Sequence, residues 1–395
     1  MKADFVIIGG GVIGISIARE LRRRWPDCSA LLLEKESEVG RHASGRNSGV
    51  LHAGFYYTAD SLKARFCRDG NLALRQFCAE RGLRVNTCGK LVVARDASEL
   101  PRLDELKRRA DVNGVPLEEV SEEEARVIEP RVKTHERALF SPTTATVDPA
   151  EVMGALRSEA ESAGVRICTG AAYRGRSGAD LATDAGPVSA GIVINASGLY
   201  ADRIARDFGF SEDYRILPFK GLYLYSSEPP HSFRTNIYPV PDLRNPFLGV
   251  HVTVTVDGKA KLGPTAIPCF WREHYSGLEN FRADEFGQIV GMEIGLFLKA
   301  GFDFRGLAAQ ELRKYSRTTL ANQAGVLAEG MDPRNFRQWG KPGIRAQLIN
   351  TKSRTLVMDF LVQGDDRSIH VLNAVSPAFT CSLPFAAHVC DQIAM

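Results

Sequence analysis

The sequence predicts a mixed α/β protein with one discontinuous domain and a second domain inserted into it. Three observations predict this. An apolar strand, a glycine-rich turn, a helix and a second strand follow one another over residues 4–34. Two further apolar strands, at 192–195 and 370–373, each end in small residues before a helix. Short alternating segments lie between these units. We therefore expect a Rossmann-like nucleotide-binding domain that carries an inserted domain with a mixed or antiparallel sheet.

The N-terminal turn has the spacing of a dinucleotide-binding loop. The apolar run at 4–8 predicts a buried parallel strand, and the next six residues match G-x-G-x-x-G. In this motif Gly9 permits the tight turn, Gly11 lets a pyrophosphate approach the backbone, and Gly14 lets the helix pack on the strand. The amides at the start of the helix favour bound phosphate. The predicted phosphate-binding residues are Gly9, Gly11, Val12, Ile13 and Gly14.

An acidic residue ends the second strand. Glu34 lies twenty residues after Gly14 and follows the apolar run at 30–33. In this position a carboxylate accepts the ribose hydroxyls, and a 2′-phosphate there would meet a negative charge. FAD or NAD is therefore favoured over NADP. Lys35 is the next candidate cofactor-binding residue.

The segment 40–57 separates the two remaining cofactors. It is small, polar and punctuated by glycine, which suits a chain that runs closely along a large flat cofactor. A plain surface loop is the alternative interpretation. With FAD as the cofactor, the candidate contacts are Ser44, Gly45, Arg46, Asn47, Ser48 and Gly49.

Three later segments complete the predicted FAD site. The strand at 192–195 leads to Ser197 and Gly198, and a glycine-rich turn before a late strand holds Gly343 and Arg345. The last segment begins a helix that we expect to run to residue 393. Its free amides would stabilise negative charge on the N1–C2 oxygen region of the flavin. The candidate residues of that segment are Ser376, Pro377, Ala378, Phe379 and Thr380.

These segments define two predicted domains. The FAD-binding domain comprises 1–87, 145–215 and 340–395, and the substrate-binding domain comprises 88–144 and 216–339. In the inserted domain and its surroundings we expect strands near 90–94, 222–226, 250–256 and 261–263, and helices near 99–113, 149–163 and 284–299.

Composition excludes several classes of protein. The 395 residues carry 50 basic and 47 acidic side chains, a net charge of +3, so no nucleic-acid partner is expected. Eight scattered cysteines without a Cys-x-x-Cys pair predict no metal site and no disulfide framework. No apolar run approaches the roughly 18 residues of a membrane span. We expect a cytoplasmic protein without a leader or a transmembrane segment, and leave open a peripheral contact with the inner face of the membrane.

Several motifs in chain order carry a family resemblance. They are Ser44–Gly54 with Tyr56-Tyr57, Ser61–Ala64, Cys88–Leu91, Ile237–Asp242, Pro246–His251, Leu262-Gly263-Pro264 with Arg272-Glu273, Gly343–Gln347 and Asn373–Ala378. The chain resembles the D-amino-acid-oxidase-type FAD oxidoreductases, and within them the L-2-hydroxyglutarate dehydrogenases and oxidases. The resemblance implies FAD and the oxidation of a 2-hydroxy acid, with L-2-hydroxyglutarate the leading substrate. Three places depart from the family pattern. Arg46 stands where the family usually has histidine, and residues 265–267 and the C-terminal segment also differ from the usual family sequence.

Oxidation of a 2-hydroxy acid requires a base for the hydroxyl proton, and histidine suits that role because its pKa lies near neutrality. His52 is the first candidate because it ends the flavin-contacting segment beside Ala53 and Gly54; the alternative is a histidine bonded to a backbone carbonyl. His251 is the second. Strand alternation predicts that His251 and Thr253 share a face, which either lines the pocket or faces solvent.

Phenol and guanidinium groups suit carboxylate binding. Tyr57 and Tyr238 are candidates, with core packing as the alternative for each. Arg272 is a candidate for the distal carboxylate, or else forms a salt bridge. Lys220 lies near the flavin or on the surface, and Arg345 faces flavin or substrate.

Two other functions remain open at this point. One is an amine or amino-acid oxidase of the same superfamily, and the other is a non-catalytic FAD-bound module that binds a partner. The electron acceptor of an enzyme is also open, with oxygen, a quinone or a soluble carrier as the alternatives.

Overall fold

The computed structural model describes residues 1–178, 180–241, 249–301 and 303–393. Of the motifs above, Asp242 and residues 246–248 lie outside the described residues. In the described part of the chain the α-helices are α1 Val12–Arg24, α2 Leu62–Glu80, α3 Leu100–Asn113, α4 Glu122–Ile128, α5 Pro149–Ser162, α6 Ala201–Asp207, α7 Ala283–Leu298, α8 Phe304–Arg313, α9 Arg317–Ala324 and α10 Ala378–Cys390.

The strands in the same residues are numbered in chain order. They are β1 Lys2–Ile8, β2 Ala30–Leu33, β3 Val50–Leu51, β4 Val85–Asn86, β5 Lys90–Val93, β6 Glu118–Ser121, β7 Arg137–Ser141, β8 Ala145–Val147, β9 Val165–Cys168, β10 Tyr173–Ser177, β11 Asp180–Thr183, β12 Val188–Asn195, β13 Tyr214–Gly221, β14 Leu224–Ser226, β15 Asn236–Pro239, β16 His251–Val254, β17 Ala260–Gly263, β18 Ile267–Pro268, β19 Phe336–Trp339, β20 Gly343–Asn350, β21 Thr355–Leu356, β22 Leu361–Gly364 and β23 Ser368–Asn373.

The first sheet has a parallel centre in the order β9–β2–β1–β12–β23. Alternate residues of β1 point to opposite faces, as the strand period of two requires. Phe5 and Ile7 join a core with α1, α5 and α10, whereas Val6 and Ile8 join a second core on the other face. Because both faces are covered, residues 5–8 of β1 and all of β2 are apolar. The predicted Rossmann-like domain is confirmed.

The second large sheet belongs to the inserted part of the chain. Its order is β19–β14–β17–β16–β15–β5–β7–β6, and all neighbouring pairs are antiparallel except β15 with β5. The strands expected near 90–94, 222–226, 250–256 and 261–263 are all in this sheet. The mixed, largely antiparallel sheet that the sequence predicted is therefore confirmed.

A four-stranded sheet, β18–β13–β20–β21, joins the two regions. Its main pair is β13 with β20, in register from Tyr214 opposite Asn350 to Gly221 opposite Gly343. The predicted domain boundary at 215/216 therefore falls inside a continuous strand. The division into two domains stays a prediction.

The turn between β1 and α1 is closed by backbone contacts that only glycine allows. Gly9 has φ +111°, and a Cβ on it would lie 2.6 Å from the Ala196 carbonyl oxygen at the end of β12. A Cβ on Gly14 would lie 1.9 Å from the Gly9 carbonyl oxygen. The helix, the turn and the neighbouring strand end therefore meet without intervening side chains.

We predict that Gly14→Ala lowers the free energy of unfolding by about 3 kcal/mol or more, because the new methyl group must displace backbone. Urea unfolding monitored by circular dichroism measures the change. Gly154→Ala is the matched control, since Gly154 lies inside α5 and a Cβ there meets no atom within 4 Å. That variant is expected to gain about 0.5–1 kcal/mol from helix propensity. Equal stability of the two variants would contradict this account of the turn.

Candidate active site

A cavity of about 1040 Å³ opens where the parallel strands end. Gly9 follows β1, Glu34 follows β2, Ser197 lies beyond β12 and Ala374 follows β23, and all four line the cavity. Ligands of open α/β sheets bind in the crevice at the carboxyl ends of such strands. The cavity therefore lies where the sequence predicted the dinucleotide.

Most of the predicted cofactor residues line this cavity. They are Gly9, Gly11, Val12, Ile13, Glu34, Lys35, Ser44, Arg46, Asn47, Ser48, Ser197, Gly198, Gly343, Arg345, Ser376, Pro377, Ala378, Phe379 and Thr380. Gly14, Gly45 and Gly49 are not in the lining. A Cβ on Gly45 would lie 2.4 Å from the Gly40 oxygen, and a Cβ on Gly49 would lie 2.3 Å from the Val147 oxygen. These three glycines shape the backbone behind the cavity instead of facing it.

The strand-end acid is held by backbone amides. Glu34 is 7% exposed, and its two carboxylate oxygens accept hydrogen bonds from Gly10 N at 2.7 Å and Glu36 N at 2.9 Å. A carboxylate fixed in this way keeps lone pairs for the ribose hydroxyls. Ser44 Oγ accepts from Val12 N at 2.8 Å, so its own hydroxyl hydrogen stays available to a phosphate. This donor and acceptor set fits the adenosine diphosphate part of FAD.

Hydrogen bonds between its own side chains and backbone hold part of the segment 40–57 in place. Asn47 donates to the Ser44 oxygen at 2.7 Å and accepts from Gly49 N at 2.8 Å. The guanidinium of Arg46 lies over the Tyr275 ring, 4.2 Å from its centroid, and donates to backbone oxygens. Arg46 is therefore accommodated by an aromatic face and carbonyl groups.

Four candidates for the base and for carboxylate binding lie together on the cavity. His52, Tyr238, His251 and Arg345 all line it, and Tyr223 joins them. The alternative that His251 faces solvent is wrong, because β16 is buried on both faces and His251 is 3% exposed. Residues that lie 293 positions apart in the sequence thus form one side of the cavity.

The His251 ring is fixed in place and in tautomer. It stacks on Tyr238 with ring centroids 3.7 Å apart and planes 18° apart. Its Nδ1 lies 2.9 Å from the Gly249 carbonyl oxygen. Because a carbonyl oxygen only accepts, Nδ1 carries the hydrogen and Nε2 carries the lone pair of the neutral ring. His251 is therefore a proton acceptor at Nε2.

His52 is held through its backbone rather than its ring. Its N–H donates to Thr380 Oγ1 at 3.1 Å, and its carbonyl oxygen accepts from Asn71 Nδ2 at 3.2 Å. The imidazole Nδ1 is buried and has no hydrogen-bond partner among the described residues. A buried polar atom without a partner is costly, so this Nδ1 has a hydrogen-bonding position available to a ligand atom.

Both imidazoles are kept neutral by burial and by cations. Burial, with further contributions from Lys90 and Arg345, lowers the pKa of His52 to about 3. Burial also lowers the pKa of His251 well below its ordinary value, and His52, Lys90 and Arg345 lower it further. Neutral imidazole is the form that accepts a proton.

The structure corrects the prediction for Arg272. Its guanidinium makes a two-pronged ion pair with Asp202, with N–O distances of 2.7 and 2.9 Å, and both side chains are fully buried. It also donates to the Leu199 oxygen. Arg272 is absent from the cavity lining. The salt-bridge alternative therefore describes this residue, and the acid is Asp202 of α6.

Two further carboxylate or flavin candidates lie outside the lining. Lys220 is neither on the cavity nor on the surface, since it is 4% exposed within β13. Tyr57 is partly buried against the core that contains α2 and α10, with the Lys63 ammonium 5.9 Å from its ring centroid. Neither residue is in the cavity lining.

Other lining residues were missed by the sequence analysis. Tyr223 follows β13, two residues after Gly221, where the chain leaves the strand and no periodic pattern applies. His42 accompanies Tyr275, with Nδ1 2.6 Å from the phenol oxygen, and reaches the lining from the 40–57 segment. Glu273 adjoins Arg272 and binds Lys35 at 2.8 Å. The Arg272-Glu273 motif was a usable signal, because its acid lines the cavity although its arginine does not.

A model of the DAO family, described as FAD dependent oxidoreductase, matches residues 4–392. The chain belongs to this family. The FAD cofactor and the family resemblance that the sequence predicted are thus confirmed.

Curated relatives are similar over nearly the whole chain. An L-2-hydroxyglutarate dehydrogenase of Escherichia coli K12 is 36% identical over 397 residues, covering 99% of this chain and 93% of the relative. The mitochondrial L-2-hydroxyglutarate dehydrogenase of Homo sapiens is 33% identical, covering 99% and 88%. The corresponding protein of Nematostella vectensis is 38% identical, covering 99% and 90%.

Solved structures share the fold. An L-α-glycerophosphate oxidase from Mycoplasma pneumoniae with FAD bound has a TM-score of 0.79 at 21% identity, covering 99% of this chain and 94% of that chain. A glycine oxidase from Geobacillus kaustophilus has a TM-score of 0.71 at 18% identity, covering 100% and 96%. At these identities the likeness establishes architecture alone. Within the described residues, no helix has the length and apolar character needed to cross a membrane.

We predict that Arg272→Met lowers the free energy of unfolding by about 3–5 kcal/mol, because it leaves Asp202 as an uncompensated buried charge. Chemical denaturation measures this loss. The double variant Arg272→Met/Asp202→Leu removes both charges and is expected to recover most of it. If the single variant kept full stability and bound a dicarboxylate more weakly, the result would contradict the salt-bridge role and support a substrate-binding role for Arg272.

Proposed function

We propose that this FAD oxidoreductase oxidises an L-2-hydroxy dicarboxylic acid, L-2-hydroxyglutarate, to the 2-oxo acid. The observation that carries the proposal is the pair of neutral imidazoles, half-buried His52 and buried His251, beside the Arg345 guanidinium in one cavity. An alcohol needs a base, and a carboxylate needs a cation. The similarity to L-2-hydroxyglutarate dehydrogenases supports the same substrate.

The chemistry moves one proton and one hydride. FAD, when bound, supplies the acceptor for the hydride that leaves C2 with its electron pair. His251 Nε2 accepts the proton of the substrate hydroxyl, and the O–H electron pair forms the carbonyl bond at C2. The Gly249 carbonyl accepts a hydrogen bond from Nδ1–H throughout, so it stabilises the positive ring that results.

The fixed tautomer favours His251 over His52 as the base. The lone pair of His251 is directed by a hydrogen bond at the opposite nitrogen, whereas the His52 ring has no such hydrogen bond at Nδ1 from any described residue. We assign His52 the complementary role of a hydrogen-bond donor or acceptor to a substrate oxygen. That role would satisfy its buried Nδ1.

Two side chains suit the substrate carboxylates. Arg345 lines the cavity near both histidines, and its planar guanidinium matches a carboxylate in two prongs. The Tyr238 hydroxyl is buried without a partner among the described residues, so it is a donor that awaits an acceptor. Burial raises the pKa of Tyr238, which keeps the phenol protonated for that contact.

We expect the purified yellow holoenzyme to lose its oxidised-flavin absorbance anaerobically with L-2-hydroxyglutarate. The D enantiomer tests handedness, L-lactate tests the second carboxylate, and L-glutamate tests amino-acid oxidation. Bleaching by L-glutamate instead would support the amino-acid oxidase alternative. Tight FAD that no member of this panel reduces would contradict both enzyme proposals.

We expect His251→Asn to reduce the rate constant of anaerobic flavin reduction at least about a hundredfold, because the proton acceptor is lost. Stopped-flow absorbance measures this rate. His135→Asn is the control, since the His135 side chain is 40% exposed and lies outside the cavity lining. A larger loss in His52→Asn than in His251→Asn would transfer the role of base to His52.

A further inference from the structure

Lys90 is a buried ammonium group without a hydrogen-bond partner. Its side chain is 0% exposed, and Nζ has no hydrogen-bond partner among the described residues. Three rings surround it instead, with centroids of Phe55, Tyr56 and Tyr238 at 4.6, 4.5 and 4.9 Å. Burial of an unpaired charge is strongly unfavourable, and the negative faces of aromatic rings offset part of that penalty.

The sheet places Lys90 in this aromatic cage. β5 runs parallel to β15, with Lys90 opposite Asn236. Tyr238 lies two residues further along β15, so it shares the face of Asn236 and Lys90. A lysine on this face of an interior strand has no route to solvent, and its Nζ ends among the rings.

The cage connects Lys90 to both candidate bases. Phe55 and Tyr56 follow His52 by three and four residues, and Tyr238 stacks on the His251 ring at 3.7 Å. One cation therefore contacts the segment that carries His52 and the ring that supports His251. A lysine that only stabilised the fold would need contact with the Phe55-Tyr56 pair or with Tyr238, but not with both.

We infer that Lys90 is a positioning residue for the oxidation, an inference that rests on the proposed function. Its ammonium fixes Tyr238 and the Phe55-Tyr56 pair against each other, and its charge keeps His52 and His251 neutral in the enzyme without substrate. The same charge favours entry of a doubly negative substrate into the cavity.

The charged and titratable groups around the two histidines have one sign. Lys90 and Arg345 disfavour the imidazolium form of both rings and His52 disfavours that of His251, whereas the Gly249 carbonyl favours the imidazolium of His251. Burial lowers the pKa of Lys90 to about 7, with Cys67 acting in the opposite direction. Lys90 is therefore charged below pH 7, the range in which a histidine base becomes protonated.

The test replaces Lys90 with Met, which has a similar shape and no charge, and with Arg, which keeps the charge. The rate constant of anaerobic flavin reduction is measured against pH with L-2-hydroxyglutarate. In the wild type the acid limb lies below the ordinary histidine pKa of 6.5. In Lys90→Met the limb moves to higher pH, because a cation that opposed protonation of the base is gone. Lys90→Arg moves it back towards the wild-type position.

A second readout does not depend on turnover. Glutarate lacks the hydroxyl group, and its binding is followed through the change in flavin absorbance. We expect Lys90→Met to weaken glutarate about tenfold at pH 6. Histidine NMR titration, assigned with His52→Gln and His251→Gln, reports whether the pKa of each imidazole rises in Lys90→Met.

Lys261→Met is the matched control. Lys261 is 4% exposed, its Nζ lies 4.6 Å from the Tyr223 ring centroid, and burial lowers its pKa to about 8. It does not contribute to the pKa shift of either histidine. Its variant is expected to keep the acid limb in place.

The outcomes separate this inference from the proposed function. Absence of flavin reduction in the wild type would contradict the proposed function. Reduction in the wild type, with the same acid limb and the same histidine pKa values in Lys90→Met, would overturn the inference alone. An equal shift in Lys261→Met would also overturn it, since the effect would then be a general one of buried charge.

Discussion

The close backbone contact between β1, α1 and β12 is the constraint on which the cavity depends. Gly14 lies against the Gly9 oxygen, and Gly9 lies against the Ala196 oxygen, so the helix start and two strand ends occupy almost one point. The amides of the first turn of α1 then face the same crevice as Glu34 and Ser197. A side chain at either glycine would separate the helix from the sheet. The part of the cavity that Gly9 and the first turn of α1 line would then be disrupted.

Local geometry of this kind is readable from sequence because neighbouring residues determine it. β2 was predicted at 30–33 and is found at Ala30–Leu33, and the helix expected at 99–113 is found at Leu100–Asn113. Most segments that line the cofactor end were predicted, and several of them follow strands that end in small residues; the lining residues at 171–174 were not predicted. The C-terminal helix was expected to run to residue 393 and ends at Cys390.

The substrate end was less predictable because it is built from contacts between distant residues. Arg272 has the chemistry of a carboxylate ligand, but its partner Asp202 lies 70 residues earlier and binds both terminal nitrogens of the guanidinium. A charge census of the sequence offers no means of pairing them. Lys220 was misplaced for a related reason, since it lies in β13 between two paired strands, opposite Ile267 of β18 and Ile344 of β20. His251 was found because strand alternation is local, whereas its stacking on Tyr238 is not.

The substrate end of the cavity has an electrostatic asymmetry with a chemical consequence. Without substrate, burial keeps His52 and His251 in the neutral form and Lys90 and Arg345 add to this effect, so a base is available but weak. A bound dicarboxylate brings two negative charges beside the same rings, and a nearby opposite charge favours the imidazolium. The substrate therefore strengthens the base that acts on it. A monocarboxylate would offset the cations less. We therefore expect the second carboxylate to assist proton transfer to the base as well as binding.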